Sequence, residues 1–164
     1  MSHSPSPEEQ IILLLARVNP SPTALEEAGS LLKDNPVDFT KMVRSANMSG
    51  VSPLLYHNLK SLGGIPEKTM EEFRNAYLFT VKENIGNAAE MKRILMLLKM
   101  AGVEAIPLKG AIASDVILGN PGLYPAGDLD MLVRPSDLEG AKRALMDAGY
   151  KESDAMDEED MLKS

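Results

Sequence analysis

A chain of 164 residues is long enough for one buried core, or for a helical region joined to a compact α/β unit. It has no cysteine, which excludes disulfides, thiolate metal sites and cysteine nucleophiles, and its charge of −7 with a pI near 4.9 argues against a duplex-DNA surface. The longest apolar run, Ile11 to Ala16, is far short of the roughly 20 residues of a membrane helix, and it follows Glu8 and Glu9 rather than a basic segment, so a soluble cytoplasmic protein is expected.

Along the first hundred residues a capping residue repeatedly precedes a proline that opens an apolar-periodic run. Ser6-Pro7 with Glu9 forms a capping box, and Ser21-Pro22, Asn35-Pro36 and Ser52-Pro53 repeat the signal. The pattern predicts four short helices, near 7–18, 22–33, 36–46 and 53–61. A longer helix is predicted from Glu67 to Met100. Its stripe runs through Met70, Phe73, Tyr77, Val81, Ile85, Ala88, Met91, Leu95 and Leu98, with a kink or break allowed at Gly86 and a stop at Gly102.

At Val103 the texture changes. Residues 103–108 read as a strand, with Pro107 placing it at a sheet edge or ending it there, and Lys109-Gly110 then turns into a short helix over 111–118. After the breakers Gly119-Asn120-Pro121-Gly122, a second strand is predicted over Asp128 to Val133. Ser136 with Glu139 forms another capping box for a helix ending at Ala148, and Tyr150 to Ser153 starts a possible third strand. The expected organisation is a helical region over 1–100, an α/β core over 101–153 and an acidic tail over 154–164 that lacks order. The fold class is α+β, a helical N-terminal bundle followed by a small mixed sheet with helices on one face.

The chemistry concentrates in two places. In a strand, side chains two residues apart share a face, so Asp128 and Asp130 set two carboxylates side by side. That repulsion is costly unless a cation or hydrogen-bond donors offset it, and Mg²⁺ characteristically takes one or two carboxylates together with phosphate oxygens. Gly127 leaves backbone room for an anionic ligand. A plain structural reading has Asp128 capping a turn and Asp130 merely exposed. Upstream, Lys109-Gly110-Ala111 stands between a strand and a helix N-terminus, where free N–H groups, a close-approaching glycine and a lysine suit a phosphate. His57 has no partner at ligand spacing, and no serine, histidine and acid arrangement is visible.

Taken together, Pro-Leu-Lys-Gly-Ala, then Tyr-Pro-Ala-Gly-Asp-Leu-Asp-Met-Leu-Val-Arg-Pro, then a helix ending in Ala-Gly-Tyr, between Ile106 and Tyr150, resemble the uncharacterised nucleotidyltransferase family of the polymerase-β superfamily. The resemblance implies metal-dependent transfer of a nucleoside monophosphate from an NTP to a protein, RNA or small-molecule acceptor. It implies Asp128 and Asp130 as catalytic Mg²⁺ or Mn²⁺ ligands, and Lys109, Gly110 and Ala111, with Gly127 nearby, as the nucleotide-binding residues. Three positions depart from the superfamily pattern. Ala111 replaces a serine or glycine, Tyr124 stands where an arginine is common, and the third carboxylate has only Glu152 or Asp154 to supply it. The rival expectation is a non-catalytic binding or protein-interaction module. A homo-oligomer formed through the helical region, completing its site across subunits, is a third.

Overall fold

The computed structural model describes residues 4–108 and 118–152. Six α-helices are described: α1 (Pro7–Leu15), α2 (Pro22–Asp34), α3 (Phe39–Met48), α4 (Ser52–Leu59), α5 (Glu67–Met100) and α6 (Leu138–Asp147). Two short strands, β1 (Ala105–Pro107) and β2 (Met131–Val133), pair antiparallel, and a 3₁₀ turn (Pro135–Asp137) precedes α6. The fold is α+β and mostly helical. Of the mixed sheet expected, the described residues contain this one antiparallel pair. Residues 150–152 carry no strand, while the predicted helix over 111–118, except for its last residue, and the acidic tail lie outside the described residues.

By internal contacts, residues 4–88 and 118–129 form one compact unit, and 89–108 with 130–152 form another. The first unit buries Ile11, Leu15, Ala28, Met42, Leu55, Leu59 and Phe73 completely, in a single cluster built from α1, α2, α3, α4 and the start of α5. Helix starts follow the predicted chemistry at two places. The Ser6 N–H donates to Glu9 Oε2 at 2.8 Å, and the Ala24 N–H donates to Ser21 Oγ at 3.2 Å.

Elsewhere the starts move. Asn35 is extended before Pro36, as the proline ring demands, and its side-chain amide donates back to Leu31 O, so it ends α2. Asp38 caps α3 instead, accepting from the Lys41 N–H at 3.0 Å. Ser52 donates to Asn47 Oδ1 at 2.6 Å and sits inside α4 rather than capping it. The Ser136 box is not made either, because Pro135 opens a 3₁₀ turn and Ser136 donates to Asp137. Helix ends are simpler. Gly50, Gly102 and Gly149 all have positive φ, and the following residue's N–H reaches back to Ala46, Leu98 and Leu145 respectively.

Helix α5 runs unbroken through Gly86. Its buried positions are not quite the predicted stripe. Phe73, Met91 and Leu98 are buried as expected, but mid-helix the buried residues are Thr80 and Asn84, while Ile85 is exposed. What meets that face is not a set of apolar side chains but the backbone of the loop 120–126, and carbonyls need donors. Asn84 supplies them. Its Nδ2 donates to Pro121 O at 2.5 Å and Tyr124 O at 2.7 Å, while its Oδ1 accepts the Ala126 N–H at 3.1 Å. Gly122 lets the loop lie this close, since a Cβ there would stand 2.6 Å from Tyr77 Cζ and 2.7 Å from Val81 Cγ2.

In the second unit Met91, Ile94, Leu98, Val103 and Ala141 are buried. The strand register sets Ala105 against Val133 and Pro107 against Met131, and the Leu108 N–H donates to Asp130 O at 3.0 Å. Hydrogen-bonded pairs alternate along an antiparallel ladder. Leu108–Asp130 is one, so Pro107 falls at a non-bonded pair and its missing N–H faces away from β2. The proline therefore costs this pairing nothing.

Two outcomes are expected. Gly122→Ala must displace Tyr77 or Val81 and should lower stability by about 1–3 kcal/mol in urea unfolding. Glu8 is buried, and the Ser6 hydroxyl, then the Asp38 N–H donated to it at 2.9 Å, then Lys41, outweigh desolvation and hold its carboxyl at about 2, below the usual 4.5. A depressed folded pKa stabilises above pH 4.5 and loses that contribution as pH falls toward 2. Glu8→Gln should thus unfold at lower urea than wild type at pH 7, with the gap closing between pH 4.5 and 2. An unchanged gap across that window would mean that Glu8 is not held by these donors.

Candidate functional site

The acidic pair lies at the end of the loop that α5 carries. From Asn120 to Ala126 the backbone has no regular structure, and side chains of α5 hold it at successive points. Tyr77 Oη donates to Asn120 Oδ1 at 3.0 Å, which in turn accepts the Gly122 N–H at 2.9 Å. Asn84 makes its three bonds, and Asn87 Nδ2 donates to Ala126 O at 2.7 Å. Ala126 is thus gripped through both its N–H and its carbonyl. Asp128 follows two residues later.

Asp128 is exposed and lies one residue before Leu129, the last of the first unit; Asp130 is half-buried and opens the last stretch of the second. The strand expected over Asp128 to Val133 is shorter than predicted. Ladder pairing begins at Met131, with Asp130 joined through its carbonyl to Leu108, and Asp128 precedes it. Gly127 is exposed, and a Cβ built on it would meet nothing within 4 Å. Lys109, Gly110 and Ala111 lie outside the described residues, as does Asp154.

Tyr124, at the position where an arginine is common, has an exposed side chain, and its carbonyl is one of the two held by Asn84. Glu152 is paired with Lys142 at 2.9 Å. Among the described residues no group of three or more histidine, aspartate or glutamate side chains is placed to share a metal ion. Among the described residues the acids that the sequence places here are the two carboxylates of Asp128 and Asp130. His57 is exposed in the last turn of α4.

Two further features of the second unit were not legible in the motifs. A groove of about 790 Å³ is lined by Leu95, Lys99, Val103 to Ile106 and Leu132 to Pro135, and it includes neither acid of the pair. On the other side of the same helix segment, Glu90, Arg93 and Tyr150 form a compact cluster. The Arg93 guanidinium donates to Glu90 and to the Tyr150 hydroxyl and lies 4.9 Å from the ring centroid, and that hydroxyl also bonds Glu90. Arg93 first, then Tyr150, hold the Glu90 carboxyl at about 2, while burial and Glu90 push the Tyr150 hydroxyl upward. These contacts tie Tyr150, three residues after α6, to α5.

The residues that sequence reasoning missed are Asn84 and Asn87. A signal for them exists in spacing, since Phe73, Tyr77, Thr80, Asn84, Asn87, Met91, Ile94 and Leu98 follow alternating steps of four and three. Such steps keep one helix face. Asn84 and Asn87, polar residues at two consecutive steps of that face, mark a backbone on the other side, whereas the Thr80 hydroxyl donates to Ala76 O of its own helix.

Among the described residues no helix is long and apolar enough to cross a membrane. No curated protein and no solved structure matches the chain significantly. A family model described as uncharacterised nucleotidyltransferase does match, over residues 35–164, a span that takes in α3 to α6, both strands, the held loop and the acidic pair. With most of its length covered by that model, the chain belongs to the uncharacterised nucleotidyltransferase family.

Proposed function

We propose that this nucleotidyltransferase-like protein transfers a nucleoside monophosphate from an NTP to a hydroxyl-bearing acceptor, with Asp128 and Asp130 as the metal ligands of that reaction. The observation that carries the reading is the strand register. Leu108 pairs with Asp130, so the Lys109-Gly110-Ala111 turn begins, in sequence, one residue after the partner of the second acid. A phosphate-suited turn and a cation-suited pair thus leave the two strands of one ladder at the same end. Family membership supports the same chemistry.

In this reading the Asp128 and Asp130 carboxylates hold Mg²⁺ or Mn²⁺ by hard oxygen donors. The bound ion supplies charge neutralisation for the triphosphate and a lowered pKa for the acceptor hydroxyl. Lys109 neutralises a phosphate oxygen, and Gly110 allows the backbone N–H groups at the following turn to approach it. The acceptor oxygen forms a bond to the α-phosphorus as the bond from that phosphorus to the bridging oxygen breaks. The hydroxyl proton passes to solvent and pyrophosphate leaves with the bonding pair. Ala111 contributes only its N–H, having no hydroxyl.

Calorimetric titration with each NTP should show binding that needs Mg²⁺ or Mn²⁺. The Asp128→Asn, Asp130→Asn double variant should bind at least about tenfold more weakly, about 1.4 kcal/mol. Equal binding by both proteins removes the metal assignment. Incubation with α-labelled NTP, Mn²⁺ and cell extract should leave label on an acceptor with wild type and not with the double variant. Nucleotide binding without any transfer would instead identify a non-catalytic module.

A further inference from the structure

We infer that Asn84 and Asn87 are positioning residues for Asp128, acting through the backbone of the loop they hold; the inference rests on the assignment of Asp128 as a metal ligand. Asn84 is almost fully buried, with 1% of its surface exposed, in the middle of a helix. Asparagine is a poor helix former, and a buried amide is costly unless its bonds are made. Here both Nδ2 protons and one Oδ1 lone pair are used, on three different backbone groups between Pro121 and Ala126. That set also fixes which end of the amide is which, since two carbonyls require the nitrogen and one N–H requires the oxygen.

Asn87, one turn further on, takes the remaining polar group of Ala126, its carbonyl, at 2.7 Å. Consecutive Cα atoms are about 3.8 Å apart, so the Asp128 Cα lies within about 7.6 Å of the Cα of this doubly gripped residue. Displacement of Ala126 is therefore passed to Asp128 through a single intervening residue, Gly127. Metal sites tolerate little such slack, because ligands must hold their geometry to about 0.5 Å. Neither asparagine touches the metal or the nucleotide in this account.

A purely structural role makes a different prediction from a positioning role, and Asn58 supplies the control. It is buried in α4 and its Nδ2 donates to Leu15 O and Arg17 O, the same kind of helix-to-backbone clamp within the helical cluster. The test titrates Mn²⁺ into the full chain, following the free-ion EPR signal at a temperature where every variant is folded, alongside thermal melts. Asn84→Ala and Asn87→Ala should each weaken Mn²⁺ binding by about tenfold, in the range seen when a ligand loses its support. Asn58→Ala should lower the melting temperature yet bind Mn²⁺ as wild type does. Asn87→Gln, which keeps the amide donor, should recover part of the loss.

If Asn84→Ala does not fold, Asn87→Ala decides alone, because it removes one bond from a half-buried residue. Wild-type Mn²⁺ affinity in Asn87→Ala, with Asp128→Asn no longer binding, overturns the positioning role and leaves the metal assignment standing. Wild-type affinity in Asp128→Asn overturns the metal assignment, and this inference with it.

Discussion

The side-chain amide of Asn84 is the constraint on which the functional end of the first unit depends. A loop without regular structure presents carbonyls and N–H groups that must find partners once water is excluded. Most of the partners come from one helix face. Because the amide carries donors at one atom and an acceptor at the other, it specifies the loop's path as well as its attachment. A leucine there would match the apolar periodicity better and would leave two carbonyls and one N–H without those bonds.

The two acids draw on different supports. Asp128 emerges from the held loop, whereas Asp130 is anchored by its own carbonyl in the β1–β2 ladder. Neither support is a long regular element, since each strand has three residues and the loop has none in helix or strand. A ladder that short is weak by itself. The second unit compensates with buried Met91, Ile94, Leu98 and Val103, and with the Glu90–Arg93–Tyr150 cluster at the end of α6. Gly149 makes the last part possible by reversing the chain with φ near +94°, so that Tyr150, three residues after α6, returns its N–H to Leu145 O.

Much of this fold was legible from the chain because helix signals are local. Pro7, Pro22 and Pro53 mark starts, and Gly50, Gly102 and Gly149 mark ends, for reasons of backbone geometry that need no tertiary context. Where the local signal pointed to Asn35, the helix start moved to Asp38. Asn35 and Asp38 both suit a helix start, and Asp38 prevailed because its carboxylate meets the Lys41 N–H while its own N–H meets buried Glu8. The second contact comes from 30 residues away and leaves no local trace. At the acidic pair, two carboxylates at alternate positions were visible, but the start of pairing at Met131 was not. Asn84 was hidden for a related reason, as hydrophobic periodicity registers apolar neighbours and is blind to a backbone one.

Pro107 carries a consequence for association. With its ring in place of an N–H on the side of β1 that β2 does not occupy, that margin lacks a donor at the last position of the strand. Unsatisfied strand margins recruit other chains, and proline is among the residues that blunt them. Among the described residues the register turns the N–H groups of Met131 and Val133 outward on β2 but only that of Ala105 on β1, so an extended segment would find more donors beside β2.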